Sequence, residues 1–314
     1  MLPSFSVLGI KIFSYQLCAF LGVVASILMF VWAKRKEKLR NFTANRMIFV
    51  MVIGLIVLLV SAFLFNSLFH SIERGEIVFG GITWLGGVVG LFVFMIIAFH
   101  KLVPEAKGNE FKYFSLMIPG MVLGHAFGRV GCFLAGCCYG MPTDGPFGVI
   151  FPEGSAAANQ YGYGTPVLPT QLFEAAFELI FFAVMMFTYK KSKYFEVEIY
   201  SIGYGVFRFI LEFFRGDDRG STGFFLTPAQ FLCILFVTAG VLVILTRKGI
   251  IFKKIYQKML ADQDSAAKEM VIIDKRIEDE KAVDRIGEIY ALKQKGLITD
   301  KEYEEKKKEL LKKI

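Results

Sequence analysis

The sequence has little charge, since only 20% of its 314 residues are Asp, Glu, Lys or Arg whereas 55% are hydrophobic. This balance excludes a single water-soluble globular domain. Five cysteines are too few for a disulfide scaffold, and no concentrated basic face of the kind that binds nucleic acid is present. Residues 247–314 carry 18 of the 36 Lys and Arg and 14 of the 28 Asp and Glu. We therefore predict a membrane body followed by a polar tail, with no nucleic acid among its partners.

Apolar runs of about 20 residues, the length that crosses a bilayer, recur through the first part of the chain. We place seven of them, at 13–33, 47–69, 81–100, 113–131, 170–189, 199–214 and 226–246. The first run lacks a basic leader and a signal-peptidase-like site, so we expect it to remain as a helix. The predicted fold is an all-α, multi-pass integral membrane protein with about seven transmembrane helices.

Basic residues are concentrated in every second loop. Lys and Arg follow the first, third, fifth and seventh runs, whereas the segment 132–168 contains neither. Because Lys and Arg are retained on the cytoplasmic side, we expect the N-terminus outside and the C-terminus in the cytoplasm. Glycines near 86–90 are expected to allow close packing of two helices.

The polar tail has the pattern of a charged helical linker, 247–283, followed by a helical hairpin, 284–314. Gly296 is the expected helix stop, and Thr299 with Glu302 forms a capping box that starts the next helix. The segment resembles the short C-terminal (SHOCT-type) domain of bacterial proteins. That resemblance implies self-association or a protein partner rather than chemistry.

Two arginines lie where lipid is expected, and buried charge in a bilayer marks a functional candidate. Arg129 ends the fourth run, and Arg208 lies in the sixth, four residues before Glu212. One interpretation of Arg208 and Glu212 is an ion pair that lowers the cost of insertion. The other is that Arg129 and Arg208 together bind a lipid phosphodiester, because planar guanidinium groups hold phosphate oxygens in pairs.

Four other polar residues of the spans admit two interpretations each. Glu174 and Glu178 either orient the arginines or bond the backbone of a neighbouring helix. Tyr15 and Tyr204 either belong to the site or lie at the membrane interface, where tyrosine is common.

Several motifs resemble those of prolipoprotein diacylglyceryl transferases and occur in the same order. The stretch GRVGCF at 128–133, with Gly140 after it, resembles the family signature Gly-Arg-x-Gly-Asn-Phe…Gly. Tyr15, the stretch LPTQLFEA at 168–175 and the stretch YGVFRFILEFFR at 204–215 resemble three further family motifs. The resemblance covers 12–246 and implies seven helices in the bacterial cytoplasmic (inner) membrane. It also implies transfer of a diacylglyceryl group from phosphatidylglycerol to the lipobox cysteine of a prolipoprotein signal peptide.

The resemblance also implies roles for individual residues. Arg129 and Arg208 would contact the phosphate and stabilise the leaving group, while Tyr15, Tyr204 and Glu212 would position them. Membrane lipids are expected partners. The other residues expected to bind substrate are Gly128, Gly131, Cys132, Gly140, Gln171, Glu174 and Arg215. No metal or cofactor is expected, because the nucleophile belongs to the substrate.

The chain departs from the family pattern at three positions. Leu85 stands where the family has a histidine, Cys132 replaces the signature asparagine, and Cys137 replaces a glutamate. A candidate general base is therefore missing. His125 could supply it from one helical turn before Arg129, or it could be a structural histidine bonded within the bundle.

Cys132, Cys137 and Cys138 form a cluster with three interpretations. One thiol could be a nucleophile, or the three could bind a metal with His125. The spacing matches no standard zinc or iron–sulfur pattern, so packing with an optional Cys132–Cys137 disulfide is the favoured interpretation.

Two alternative functions stay open at this point. The chain could be a divergent phospholipid-dependent transferase that acts on another thiol or lipid. It could also be a non-catalytic membrane scaffold, which would tolerate alanine at both Arg129 and Arg208.

Overall fold

The computed structural model describes residues 3–7, 10–192, 194–217 and 221–311, and most of these residues are helical. The helices are α1 (Ser14–Lys36), α2 (Asn41–Arg74), α3 (Trp84–Leu102), α4 (Glu110–Ser115), α5 (Ile118–Ala135), α6 (Ala156–Tyr161), α7 (Thr170–Ser192), α8 (Glu196–Glu212), α9 (Pro228–Arg247), α10 (Lys253–Gln294) and α11 (Asp300–Leu311). Two small antiparallel hairpins accompany them, β1 (Ser4–Val7) with β2 (Ile10–Phe13), and β3 (Val149–Ile150) with β4 (Pro166–Val167).

Six helices in the described part of the chain are long and apolar enough to cross a membrane, namely α1, α2, α3, α5, α7 and α9. The protein is therefore a multi-pass membrane protein of helical architecture, as expected. The seventh predicted run, 199–214, forms α8, which has only 17 residues. It is thus slightly shorter than the other six, and the helical fold agrees with the expectation of about seven membrane helices. Four charged residues of α8 are buried within the protein, namely Glu196, Glu198, Arg208 and Glu212.

Small residues set the distance between neighbouring helices. Where α1 crosses α5, a Cβ atom added to Gly124 would lie 2.7 Å from the Ser26 Oγ atom, and that hydroxyl donates a hydrogen bond to the Gly120 carbonyl over 2.8 Å. Where α2 packs on α3, a Cβ atom at Gly90 would lie only 1.9 Å from the Ser61 Oγ atom. The predicted close packing at 86–90 is confirmed, and α5 is held tightly against α1.

The helix α10 is continuous over 42 residues and crosses position 283 without a break. The part of α10 up to Asp274 lies on the loops that follow α1 and α3, where Asp274 contacts Arg40 at 2.6 Å and Glu269 contacts Lys107 at 2.6 Å. Both basic partners belong to loops that the sequence analysis assigned to the tail's side of the membrane.

The end of the chain folds as the predicted helical hairpin. Gly296 adopts a positive φ of 68° after α10, which suits a residue without a side chain. Thr299 and Glu302 exchange the hydrogen bonds of a capping box. The rings of Tyr290 and Tyr303 pack with centroids 5.9 Å apart. Residues 312–314 of the predicted hairpin lie outside the described residues.

Candidate active site

Polar residues at helical spacing line one face of three helices. The residues on α5 are His125, Arg129 and Cys132; those on α7 are Gln171, Glu174 and Glu178; and those on α8 are Tyr200, Tyr204, Arg208 and Glu212. Residues three or four apart lie on the same helix face. Because α5 packs against α7, and α8 also contacts both of them, these faces meet inside the bundle.

Glu174 is the centre of this polar region and is completely buried. Its Oε1 atom lies 3.0 Å from Arg129 Nη2 and 3.9 Å from Arg208 Nε, and it accepts a 2.7 Å hydrogen bond from the Tyr204 hydroxyl. The structure therefore brings both predicted arginines to one carboxylate oxygen. Glu174 orients the arginines through its side chain, which decides between its two interpretations.

Arg129 is held from the other side by His125. The Arg129 Nε–H group donates to His125 Nε2 over 3.2 Å, so that ring nitrogen must be unprotonated. His125 Nδ1 lies 2.7 Å from Glu178 Oε1 and is the ring's donor. The Tyr200 hydroxyl donates to the same Glu178 oxygen over 3.1 Å. The lone pair that a general base would use is therefore already engaged by Arg129.

A stacked ring fixes the plane of His125. The Trp84 indole lies against the imidazole with centroids 4.4 Å apart and planes at 22°. The neighbouring Leu85, at the position of the family histidine, is buried. The first turn of α3 thus contributes an aromatic surface and an apolar side chain instead of a second imidazole.

Arg208 has its own carboxylate on α8. Its Nη1 atom lies 2.6 Å from Glu212 Oε2, and the Glu212 Oε1 atom accepts a 3.0 Å hydrogen bond from the Thr227 hydroxyl. Thr227 also caps α9, since its hydroxyl accepts from the Gln230 N–H group and its own N–H group donates to the Gln230 side chain. The start of α9 therefore fixes Glu212, and Glu212 fixes Arg208.

Arg215, which we expected to bind substrate, is engaged elsewhere. Its Nε and Nη2 atoms donate to the two carboxylate oxygens of Asp217, each over 2.9 Å. Burial raises the pKa of the Asp217 carboxyl to about 6, although Arg215 opposes this shift. Arg215 thus pairs with its own loop through two donors, whereas its buried Nη1 atom has no hydrogen-bond partner among the described residues, and its expected contact with substrate stays a prediction.

Gln171 also donates a hydrogen bond to the loop after α5. Its Nε2 atom donates to the Cys137 carbonyl over 2.6 Å, and the Thr170 hydroxyl donates to the Cys138 carbonyl over 3.0 Å. The start of α7 therefore holds the cysteine segment in place. All five cysteines are free thiols, so the optional Cys132–Cys137 disulfide is not formed.

The cysteine cluster lies at the end of α5, close to the arginines. The sulfur atoms of Cys132, Cys137 and Cys138 all lie within 4.8 Å of one another. Hydrogen bonds from the other two thiols, together with the positive charges of Arg215 and Arg129, lower the pKa of Cys138.

The signature glycines and Tyr15 surround this end of α5. A Cβ atom at Gly128 would meet nothing within 4 Å, whereas one at Gly131 would lie 3.2 Å from the Tyr15 ring. Gly140 lies between the carbonyls of Leu168 and Phe214, each 2.7 Å from a Cβ atom placed there. Tyr15 is 42% exposed at the rim of the site, whereas Tyr204 is fully buried at its centre.

The chain is similar to known proteins of one family. The family model described as prolipoprotein diacylglyceryl transferase matches residues 3–246. The chain belongs to the prolipoprotein diacylglyceryl transferase family. Phosphatidylglycerol–prolipoprotein diacylglyceryl transferase 2 of Clostridium perfringens is 32% identical over 250 residues, which cover 75% of this chain and 91% of that protein. A relative from Clostridium tetani is 28% identical over 76% of this chain and 94% of its own length, and one from Finegoldia magna is 29% identical over 80% and 97%.

The polar network of the candidate site also contains residues that the sequence did not predict. Tyr200 extends the series Tyr204, Arg208 and Glu212 by one further turn, and this spacing was a usable signal. Asp217 and Thr227 carried no such signal, because Asp217 lies in a loop and Thr227 is the cap of a helix. The contact of Trp84 with His125 joins two different helices and could not be predicted from spacing.

Proposed function

We propose that this chain transfers the diacylglyceryl group of phosphatidylglycerol to the lipobox cysteine thiol of a prolipoprotein signal peptide. The observation that carries the proposal is the convergence of Arg129 and Arg208 on Glu174. Two guanidinium groups fixed in a buried site are suited to one phosphodiester, since each has five N–H donors. The contacts described for Arg129 occupy two of these donors, through Nε and Nη2.

The reaction creates one new negative charge, which develops on the phosphate group. The acceptor thiol loses its proton to solvent and its sulfur attacks the glyceryl carbon, so that a carbon–sulfur bond forms while the bond from that carbon to the phosphate oxygen breaks. Glycerol phosphate leaves with one more negative charge than the phosphodiester had. Arg129 and Arg208 are prearranged to stabilise this charge, because Glu174, His125 and Glu212 already hold them.

The remaining residues of the site have supporting roles in this proposal. Tyr204 holds Glu174, while Tyr15 at the rim contacts substrate together with the glycines at 128, 131 and 140. Gln171 and Arg215 shape the loop beside the lipid site. The two hypotheses for His125, general base and orienting residue, differ in their expected effect on catalysis, and the geometry favours the orienting role.

The test is transfer in a cell depleted of its own transferase and in vesicles of phosphatidylglycerol with a model prolipoprotein. We expect the chain to restore lipidation, and Arg129→Lys or Arg208→Lys to lower the transfer rate about 100-fold to 1,000-fold. Arg46→Lys, at an exposed arginine of α2, is the matched control and should keep the rate. Full activity of both Lys variants would contradict the proposal, and a well-expressed chain that lipidates no prolipoprotein would favour a different thiol or lipid acceptor.

We also propose an orientation of the chain in the membrane and a role for its tail. The N-terminus lies outside and the tail lies in the cytoplasm of a bacterial inner membrane, because the basic loops contact α10. Residues 1–246 form the membrane domain, 247–283 the linker and 284–314 a SHOCT-type hairpin that binds a second copy or another protein. The tail should resist protease added to intact spheroplasts and be cut after lysis.

A further inference from the structure

Three thiols outside the arginine network are brought together by an unusual backbone path. Cys132 lies in the last turn of α5, and Gly136 ends the helix with a φ of 77°. Cys138 then adopts a φ of 63°, which is uncommon for a residue with a side chain. The Cys137 N–H group donates to the Cys132 carbonyl over 3.1 Å, which closes the turn. This path explains why the thiols meet although their spacing matches no standard metal motif.

The thiol cluster is held in place from a second helix. Gln171 and Thr170, at the start of α7, donate hydrogen bonds to the carbonyls of Cys137 and Cys138. Both donors are completely buried. The three sulfur atoms are therefore positioned by the protein's own hydrogen bonds, and a strained conformation maintained in this way is typical of functional sites.

The sulfur geometry suits zinc with one position left open. Tetrahedral zinc with zinc–sulfur bonds of about 2.3 Å places its sulfur ligands about 3.8 Å apart. The three sulfur atoms, all within 4.8 Å of one another, need to move by about 1 Å or less. His125 cannot be the fourth ligand, because both of its ring nitrogens are engaged by Arg129 and Glu178. Three protein ligands with a free fourth position are the arrangement of catalytic zinc sites.

The charges around the cluster also suit a thiolate-bound ion. Three thiolates and one Zn²⁺ ion carry a net charge of −1. Among the described residues, Arg129 and Arg215 are the arginines that act electrostatically on Cys138, and each has a carboxylate partner, Glu174 and Asp217 respectively. The positive charges of these two arginines are therefore compensated and would not repel the ion.

We propose that Cys132, Cys137 and Cys138 bind one zinc ion, and that its fourth position takes the acceptor thiol of the prolipoprotein. This inference rests on the proposed function. Zinc deprotonates a coordinated thiol, so the proton leaves to solvent before the carbon–sulfur bond forms. The bound thiolate then displaces glycerol phosphate from the glyceryl carbon, and no oxidation or reduction takes place. The ion thereby replaces the general base that is missing because Leu85 stands at the position of the family histidine.

The position of the cluster relative to the lipid site supports this role. Cys132 follows Arg129 by three residues on α5, which places their Cβ atoms about 5–6 Å apart on one face. A thiolate held at the cluster therefore lies beside the phosphate held by Arg129. Bringing nucleophile and leaving group together in this way lowers the barrier to reaction.

The first experiment measures zinc binding by the purified full chain with Zn²⁺ alone. We expect one zinc ion per chain, and at least a 100-fold loss of affinity in Cys137→Ser with Cys138→Ser. Cys233→Ser, a buried thiol of α9, is the matched control and should bind zinc as the unchanged chain does. Equal zinc content in the double variant and the control would overturn the inference.

The second experiment tests the fourth position without relying on transfer. Co²⁺ replaces Zn²⁺, and its sulfur-to-metal absorption reports the number of thiolate ligands. A lipobox peptide with cysteine should raise this absorption as the ligands increase from three to four, whereas the same peptide with serine should not. An unchanged spectrum with the cysteine peptide would overturn the inference.

The transfer assay separates this inference from the proposed function. Zinc removal by a chelator should lower the transfer rate about 100-fold, and added Zn²⁺ should restore it. Full-rate transfer by zinc-free protein would overturn the zinc role and leave the proposed function standing. Zinc and peptide binding without any transfer or complementation would remove the proposed function and support the metal–thiol site.

Discussion

Two arginine–carboxylate pairs in this chain have the same 2.6 Å contact in different surroundings. Arg208 and Glu212, in the membrane body, have side chains that are 5% and 2% exposed. Arg40 and Asp274, between the body and the tail, are 48% and 43% exposed. Water screens the second pair, whereas the first interacts at low dielectric constant and must be satisfied by the protein. The contact distance alone therefore does not reveal which pair matters for function.

In a third pair, Arg215 with Asp217, the arginine side chain is 2% exposed and the carboxylate is 18% exposed. Across the three pairs the carboxylate is progressively more exposed, from Glu212 to Asp217 to Asp274. Removing one partner should have the largest effect where the other is left buried and unpaired. Four measurements test that ranking and the role of the buried network.

The largest effect is expected from Glu212→Gln. The change leaves Arg208 without its carboxylate partner in the bundle, and breaking a buried pair costs about 3–5 kcal/mol. We expect a transfer rate at least about 100-fold lower and a clearly lower melting temperature in detergent. Thr227→Val, which removes the hydrogen bond to Glu212 together with the N-cap hydrogen bond from the Gln230 N–H group, should show a smaller loss of transfer rate. A normal transfer rate in Glu212→Gln would show that this buried pair matters no more for function than an exposed pair.

Substitutions of His125 are expected to have an intermediate effect that depends on the replacement. The side-chain oxygen of Gln can accept the Arg129 Nε–H bond, so His125→Gln should stay within about fivefold of the unchanged chain, whereas His125→Leu should lose about tenfold or more. The pH profile of His125→Gln should also be unchanged. Equal and severe losses in both variants would support His125 as the general base instead.

The Arg215–Asp217 pair is expected to make the free energy of unfolding depend on pH. The pKa of Asp217 is raised to about 6 from 3.8, so the folded protein binds this proton more tightly than the unfolded chain. The contribution of the group to the free energy of unfolding is therefore fully present below about pH 4 and is lost as the pH rises towards 6. The full change is about 3 kcal/mol. Melting temperatures measured from pH 4 to 7 should follow this trend, and Asp217→Asn should remove it.

The smallest effect is expected from Asp274→Asn. The pair it breaks is exposed, and such pairs contribute about 1 kcal/mol or less. Both the transfer rate and the melting temperature should stay within experimental error of the unchanged chain. A loss as large as that of Glu212→Gln would show that contact between the tail and the body controls the site.

The sequence predicted those parts of the molecule that follow from periodicity within one element. The apolar runs became spans, and Glu174, Tyr204 and Arg208 met because each lies on the polar face of its helix. The hairpin of the tail followed from Gly296 and the capping box at Thr299. These signals are local, so they can be detected without knowledge of the packing.

Other features depend on contacts between elements, which one sequence does not contain. His125 had two interpretations, general base and structural histidine, and its Nδ1 atom meets Glu178 on another helix. The charges of α8 are buried by the surrounding protein. The contact of Arg215 with Asp217 is local, but no periodic pattern marks it, and the expected contact of Arg215 with substrate stays a prediction.

The unbroken helix α10 determines how far the hairpin reaches. Its last described ion pair with the body is at Asp274, and the helix ends at Gln294, twenty residues later. At 1.5 Å per residue this interval spans about 30 Å. The helix thus acts as a rigid spacer between the loops of the membrane body and the hairpin at the end of the chain.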